Sequence, residues 1–493
     1  MRFSIFAGVA ICLAAWHGGM CRSAEPNNSE GLDWQIPSEK LKLSFKEDAP
    51  IVFVSRNQLA EWEKLPTFWN EGTEKIVDPR TNQEVTRRVV RIKMPLGLNA
   101  PQTPPENPLT VAKWILGKRL YFDSVLSSDG TVACASCHSP AKGFTDQLRF
   151  SIGIGSQAGG ISAPTVINSA FHALQFWDGR AATLEDQAQG PVQNPIEMFD
   201  GKGNPWHSAV MRVRAKGDYK ALFEQAFGAP PTRDSIAKAI ASYERTVFSG
   251  NSITDRAELA MRIRIDDDGG KPEVLAKDYL KVLKEALTAK DESALSAIGV
   301  KNEAGVQGAA TSLANGRTLF FGKARCNSCH VGENYTDNQF HNLGVGVKDG
   351  KLAADAHGRF VRQPTGHKNF ESIGAFKTPT IRSLLTTAPY LHDGSEDSLE
   401  KVVEFYDRGG NANEFLDTKM RDFDAERKAR DGQKLPGIEV KRFGAEGKPV
   451  IPLKLSLTAD EKKDLVLFMK SLQGEAIDPI VADPKKLPSF PGK

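Results

Sequence analysis

Four of the six cysteines in this 493-residue chain fall into one repeated pattern, Cys134-Ala135-Ser136-Cys137-His138 and Cys326-Asn327-Ser328-Cys329-His330. Two thiols three residues apart can each form a thioether to a vinyl group of one porphyrin. The histidine that follows then lies under the iron as its axial ligand. A chance match is expected on the order of 0.001 times in a chain of this composition, so two matches are not accidental. Four cysteines in an exported protein could instead form two disulfides, or thioredoxin-like redox pairs, but neither alternative explains a histidine behind each pair. The pattern implies two covalently attached haem c groups, one on His138 and one on His330.

The other two cysteines, Cys12 and Cys21, lie in a segment that reads as an export signal. Met1-Arg2 gives it a positive end, Phe3 to Trp16 form an apolar run too short to span a bilayer, and Ala24 is the expected cleavage point. An uncleaved anchor is the alternative. A cleaved signal implies a periplasmic protein that is not integral to the membrane, since no later segment is apolar enough to cross one. With 40% hydrophobic and 25% charged residues the composition is that of an ordinary globular protein. A formal charge of +3 and the lack of any dense Lys/Arg block exclude nucleic acid as a partner.

The elements that must hold the two haems repeat as well. Gly117-Lys118-Arg119-Leu120-Tyr121-Phe122 precedes the first motif and Gly316-Arg317-Thr318-Leu319-Phe320-Phe321 the second. Downstream, Pro164-Thr165, Asp178-Gly179 and Leu184-Glu185 recur as Pro379-Thr380, Asp393-Gly394 and Leu399-Glu400; Pro to Asp is 14 residues and Asp to Leu is 6 in both copies. Matched intervals point to two copies of one domain.

Each copy reads as helical at both ends. Asn107-Pro108 opens a helix carrying Val111, Ile115 and Leu116, and Asp234 caps a run with Ile236, Ile240, Tyr243 and Val247 on one face. Thr458 and Glu461 form a capping box before Leu465, Val466, Phe468 and Met469. Outside the copies, Leu41–Phe45 and Ile51–Val54 read as strands, Val274–Leu287 as a charged helix, and 417–450 as a surface loop rich in charge and glycine.

The fold expected is therefore mainly α: two cytochrome c-like haem domains related by internal duplication, with an extra N-terminal region containing some β. Its boundaries are 1–24 for the signal, 25–105 for the N-terminal extension, 106–250 for the first haem domain, 251–310 for a helical insertion, 311–475 for the second haem domain and 476–493 for a tail.

Over roughly residues 108–250 and 312–473 the chain resembles the bacterial dihaem cytochrome c peroxidase and MauG family. The resemblance is carried by Phe176-Trp177-Asp178-Gly179-Arg180, Leu184-Glu185-Asp186-Gln187, Asn194-Pro195-Ile196-Glu197-Met198 and Ala388-Pro389-Tyr390-Leu391-His392-Asp393-Gly394. It implies an N-terminal haem that binds hydrogen peroxide and a C-terminal haem that relays electrons from a small cytochrome c or cupredoxin. It also implies that Trp177 lies between the haems, that Glu197 is the acid–base residue over the peroxidatic iron, and that Gln187 orders the pocket beside it. Peroxide on iron must lose a proton from one oxygen and gain one on the leaving oxygen, and a carboxylate in reach can do both. Without the resemblance, Trp177 would read as a core aromatic and Glu197 as a solvated surface residue.

Two departures from the peroxidase pattern bear on function. No histidine occurs between Ser139 and Phe171 to cap the first iron, and His172 reads as structural, so an open sixth position is expected without prior reduction. At the second haem, the position of the peroxidases' methionine is held by Tyr406, as in MauG-like proteins. Tyrosinate is a hard anionic donor that favours ferric iron and lowers the potential. The alternatives for that ligand are Met420, His341, His357, His367 and His392; Met469, on the C-terminal helix, is not placed like the family ligand.

A calcium ion between the domains, held by backbone oxygens of Thr387 and Pro389, is also implied by the resemblance, although Ser162 replaces the usual asparagine. Three functions follow as expectations: a peroxidase reducing hydrogen peroxide to water, a MauG-like oxidase acting on a protein partner, and a non-enzymatic electron carrier. A homodimer is compatible with all three.

Overall fold

The computed structural model describes residues 49–488 apart from 79, 80 and 349. The expected signal segment and the strand expected at Leu41–Phe45 lie outside the described residues.

The N-terminal region folds as a three-stranded sheet, β1 (Ile51–Val54), β2 (Trp69–Val77) and β3 (Glu84–Lys93), in the order β1-β3-β2. β2 and β3 form an antiparallel hairpin with Trp69 opposite Ile92, and β1 runs parallel to β3 with Ile51 opposite Val90. Alternation along β3 turns Val90 and Ile92 inward, onto a cluster that includes Trp114, Tyr121, Phe144 and Tyr243. The sheet is thus seated on the half that carries the first Cys-x-x-Cys-His motif.

That half is built from α1 (Val111–Phe122), α2 (Pro205–Ala215), α3 (Gly217–Phe227) and α4 (Arg233–Glu244). Both of its expected helix starts move. The α1 cap is Thr110, whose side chain accepts from Lys113 N, and the α4 cap is Thr232, paired with Ser235 in a capping box. Asn107 is instead buried, donating to Glu185 and to Lys238 O, while Asp234 sits in the first turn of α4. The β-branched hydroxyls won because each reaches the N3 amide.

Residues 251–310 are helical, as expected: α5 (Ile253–Asp268), α6 (Ala276–Thr288), α7 (Glu292–Ala297) and the start of α8 (Glu303–Phe321) share one core. The second half adds β4 (Phe340–His341), β5 (Phe376–Lys377) and α9 (Leu399–Asp407). The segment 417–450 is not a plain loop. It forms α10 (Phe423–Arg430) and the hairpin β6 (Lys441–Phe443)–β7 (Lys448–Val450), closed over a small core of Ala425, Ala429 and Ile451 with Leu435, Ile438 and Val440 against it. Its apolar residues are spaced too widely to show helical or strand periodicity, and the charges around them hid it. α11 (Ala459–Lys470) begins with the Thr458–Glu461 capping box and buries Leu465, Val466, Phe468 and Met469, as expected.

Each half crosses two helices at a glycine. A Cβ on Gly117 of α1 would stand 1.8 Å from Ala239 O of α4, and one on Gly316 of α8 would stand 2.0 Å from Asp464 O of α11. Left-handed backbone at Asn168 and Phe176 recurs at Ser383 and Leu391, each 215 residues further on. The bridge Gln175–Ala181 recurs as Tyr390–Glu396.

The C-terminal tail returns to the first half. Lys118 Nζ donates to the carbonyls of Ile480, Asp483 and Lys486 at 2.5–2.7 Å, and the Tyr243 hydroxyl donates to Val481 O at 2.9 Å. Among the described residues no helix is long and apolar enough to cross a membrane.

Candidate active site

One cavity of about 790 Å³ is lined from both motifs, by Cys137 and His138 on one side and Cys326, Cys329 and His330 on the other. Cys134 packs into the apolar cluster behind it. All four thiols are unpaired, and burial pushes those of Cys134, Cys137 and Cys326 up. His138 and His330 are both driven towards the neutral imidazole by burial, the form that binds iron. His330 Nδ1 bonds Tyr335 O at 2.9 Å, which leaves Nε2 for a metal. His138 Nδ1 is buried without a hydrogen-bond partner, as is Gln187 Oε1, which lines the same cavity. An apolar cavity bordered by two Cys-x-x-Cys-His motifs, with unpaired polar atoms at its first end, fits two haem c groups.

Glu197 borders the first end with Gln187, Asn194 and Arg180. It is set by its own loop. Asn194 Nδ2 donates to Glu197 Oε1 at 2.5 Å, Glu197 N donates to Asn194 O, and Ile154 N donates to Glu197 O at 2.9 Å. Gly153 allows that approach, since a Cβ there would lie 1.9 Å from Ile196 O. Burial raises the Glu197 carboxyl above its ordinary value, opposed by the Arg180 charge and the Asn194 hydrogen bond. Arg180 is itself placed by Asp178, at 3.0 Å, and by stacking over Phe176 at 3.5 Å. Nothing local in the sequence marks Arg180 for this place; its spacing from Trp177 holds no sign that its charge would act on Glu197.

Trp177 lies where the halves meet. Its indole Nε1 donates to Ser162 O, and its carbonyl accepts from Lys377 N of β5 at 2.8 Å. His392 stands 6.4 Å from the Trp177 ring and stacks on Phe376 at 3.5 Å. Arg359 and Arg362 reach across to the Asp178–Gly179 turn. Lys377 is buried in the same wall, and burial lowers its amine to about 7. His172 also lines the cavity, its Nε2 buried without a partner. No sequence motif marks Lys377 for this place.

At the second end Tyr406, on α9, borders the cavity together with Met420 and Met469. Burial and the neighbouring Cys329 and Cys326 hold the Tyr406 phenol up. His341 has both nitrogens engaged, Nδ1 with Asp417 at 2.7 Å and Nε2 with Asp337 at 2.9 Å, and those carboxylates push it up to about 11. Both of its nitrogens are thus occupied by carboxylates. His367 is exposed. Thr387 and Pro389 also border the cavity.

The family model for di-haem cytochrome c peroxidase matches residues 111–261. MauG of Methylorubrum extorquens is 32% identical over 355 residues, 71% of this chain and 84% of that protein. The chain belongs to the di-haem cytochrome c peroxidase and MauG family. The cytochrome c551 peroxidase of Nitrosomonas europaea is 33% identical over 290 residues, 59% of this chain and 71% of its own. A solved MauG-like protein associated with microbial copper homeostasis superposes with a TM-score of 0.55 at 27% identity, covering 80% of this chain and 97% of that one. The family carries two haem c groups, which accords with the two motifs.

Proposed function

We propose that this enzyme reduces hydrogen peroxide to two waters, taking two electrons from a small cytochrome c or cupredoxin and two protons from solvent. The observation that carries the reading is Glu197, a carboxylate of raised pKa that lines the cavity with Gln187, Arg180 and His138. Bound haem supplies the iron on which the O–O bond is cleaved. Glu197 takes a proton from one peroxide oxygen and returns it to the other, so that water departs instead of hydroxide. Arg180 favours the ionised carboxylate that the first transfer needs. The unpaired Gln187 Oε1 accepts from the peroxide O–H and orients it. Trp177, bonded to the backbone of both halves, couples the first haem to the one on His330.

The matched left-handed residues, bridges and helix-crossing glycines support two copies of one haem domain, 106–250 and 311–475. Tyr406, which lines the cavity with His330, would help hold the second haem, ionised when bound because the metal's charge would offset burial. Calcium would rest on backbone oxygens of Thr387 and Pro389. Ser162 contributes little, since its hydroxyl donates to Leu148 O and its carbonyl accepts from Trp177. Export to the periplasm as a monomer or homodimer completes the reading.

The test is stoichiometry. With peroxide limiting, two equivalents of reduced donor should be oxidised per peroxide; consumption of peroxide without donor oxidation refutes the assignment. Tyr406 beside the second motif, with the likeness to MauG, favours one rival, an oxidase of a protein partner, which that second outcome would select.

A further inference from the structure

A line of aromatic rings runs from the first haem motif into the N-terminal sheet. The Tyr121 hydroxyl donates to His138 O at 2.6 Å. Tyr121 meets Tyr243 at 4.9 Å between centroids, Tyr243 meets Trp114 at 6.0 Å, and Trp114 meets Trp69 at 4.9 Å. Tyr121, Tyr243 and Trp114 are fully buried, whereas Trp69 of β2 is partly exposed. Trp69 lies outside the segment matched by the family model.

We propose that this chain carries oxidising equivalents away from the first haem site when no donor is bound, with Trp69 as the terminal residue oxidised. The inference rests on the peroxidase reading, which supplies the oxidant. It gives the N-terminal sheet a function, that of delivering Trp69 to the end of the chain.

The surroundings of each ring set the direction. Both phenols donate to main-chain carbonyls, Tyr121 to His138 and Tyr243 to Val481, and a carbonyl cannot take their proton. Neither tyrosine can therefore keep the oxidising equivalent. Lys118 Nζ stands 5.3 Å from the Trp114 ring, and when protonated it disfavours positive charge there. Trp69 differs. Its Nε1 is buried without a hydrogen-bond partner, and Glu71 lies two residues along the same face of β2, close enough for the indole to influence its carboxyl.

Electrons balance as follows. Peroxide needs two electrons to become two waters; without donor one leaves Trp69 through Trp114, Tyr243 and Tyr121, and the haem groups would supply the other, remaining one electron more oxidised than they began. Trp69, one electron short, passes its indole proton to Glu71. The resulting carbon radical is trapped by a nitroso compound, whose nitrogen bonds to the indole carbon.

The holoprotein is mixed with one equivalent of peroxide and 2-methyl-2-nitrosopropane, without donor, then digested and mapped by mass spectrometry while the haem band is recorded. The adduct is expected on Trp69, with at least tenfold less in Trp114→Phe. Tyr243→Phe keeps the ring in the core and should give the same loss if the first variant folds poorly. Sulfoxide at Met211, 49% exposed, reports bulk peroxide and should not change among the proteins. A haem band that responds while Trp69 stays unmodified, or an adduct undiminished in both variants, overturns the chain. A haem band that does not respond refutes the peroxidase reading and the chain with it.

Discussion

Replacing Glu197 by Gln separates its proton chemistry from its place in the structure. The amide keeps the size of the side chain, and its oxygen can still accept from Asn194 Nδ2, so the loop from 194 to 198 should hold. What is lost is the carboxylate that accepts and returns the proton. Among the cavity-lining residues the acidic ones are Glu197 and Glu244, and Glu244 lies by the Tyr121–Cys134 side of the motif, not with Gln187 and Arg180. General acid–base catalysis of this kind is worth about 10²–10⁴ in rate, or about 3–5 kcal/mol in the barrier. The expected result is a fall of that size in kcat with the peroxide KM within a few-fold of wild type. The acidic limb of the pH–rate profile should vanish as well, since burial raises the Glu197 carboxyl and the wild-type rate falls as it is protonated. The assay is stopped-flow oxidation of a reduced small cytochrome, with the haem spectrum and far-UV circular dichroism as controls. A kcat within threefold of wild type, with the acidic limb intact, would refute the role.

Other consequences are direct. Tyr406→Phe should change the spectrum of the oxidised second haem and raise its potential in a redox titration; an unaltered spectrum removes Tyr406 as ligand. Gly117→Ala and Gly316→Ala should each destabilise by about 1–3 kcal/mol in urea unfolding, because the added methyl meets a helix carbonyl in both halves. Glu244 is held up to about 8 by burial from an ordinary 4.5, so the folded protein keeps a proton that the unfolded chain releases. Its contribution is present below about pH 4.5 and is lost as pH rises towards about 8, by on the order of 3–5 kcal/mol. In Glu244→Gln that decline in the urea midpoint should flatten.

The sequence made the haem chemistry legible because covalent attachment needs fixed spacing, and Cys134 to His138 and Cys326 to His330 keep it. Repeats and caps were legible where the relevant residues are close along the chain, as with Thr458 and Glu461. Two caps were misplaced by two or three residues because Asp234 and the Asn107-Pro108 pair carry the usual signals while Thr232 and Thr110 hold the geometry. The β2–β3 hairpin was missed because Trp69–Val77 alternates only between exposed and half-buried residues, with charged ones among them. Arg180, Lys377 and His392 meet the site through folding. Arg180 faces Glu197 from 17 residues away, and Lys377 reaches Trp177 through a backbone bond across 200 residues. No local pattern encodes such contacts.

The central claim, peroxide reduction at a first haem open without prior reduction, is tested by one mixing experiment. The oxidised holoprotein, never pre-reduced, is mixed with hydrogen peroxide and a reduced small cytochrome, and donor oxidation is followed from the first turnover. Immediate multiple-turnover oxidation without a lag is the result expected. A peroxide-driven change in the haem spectrum with negligible donor oxidation would contradict it.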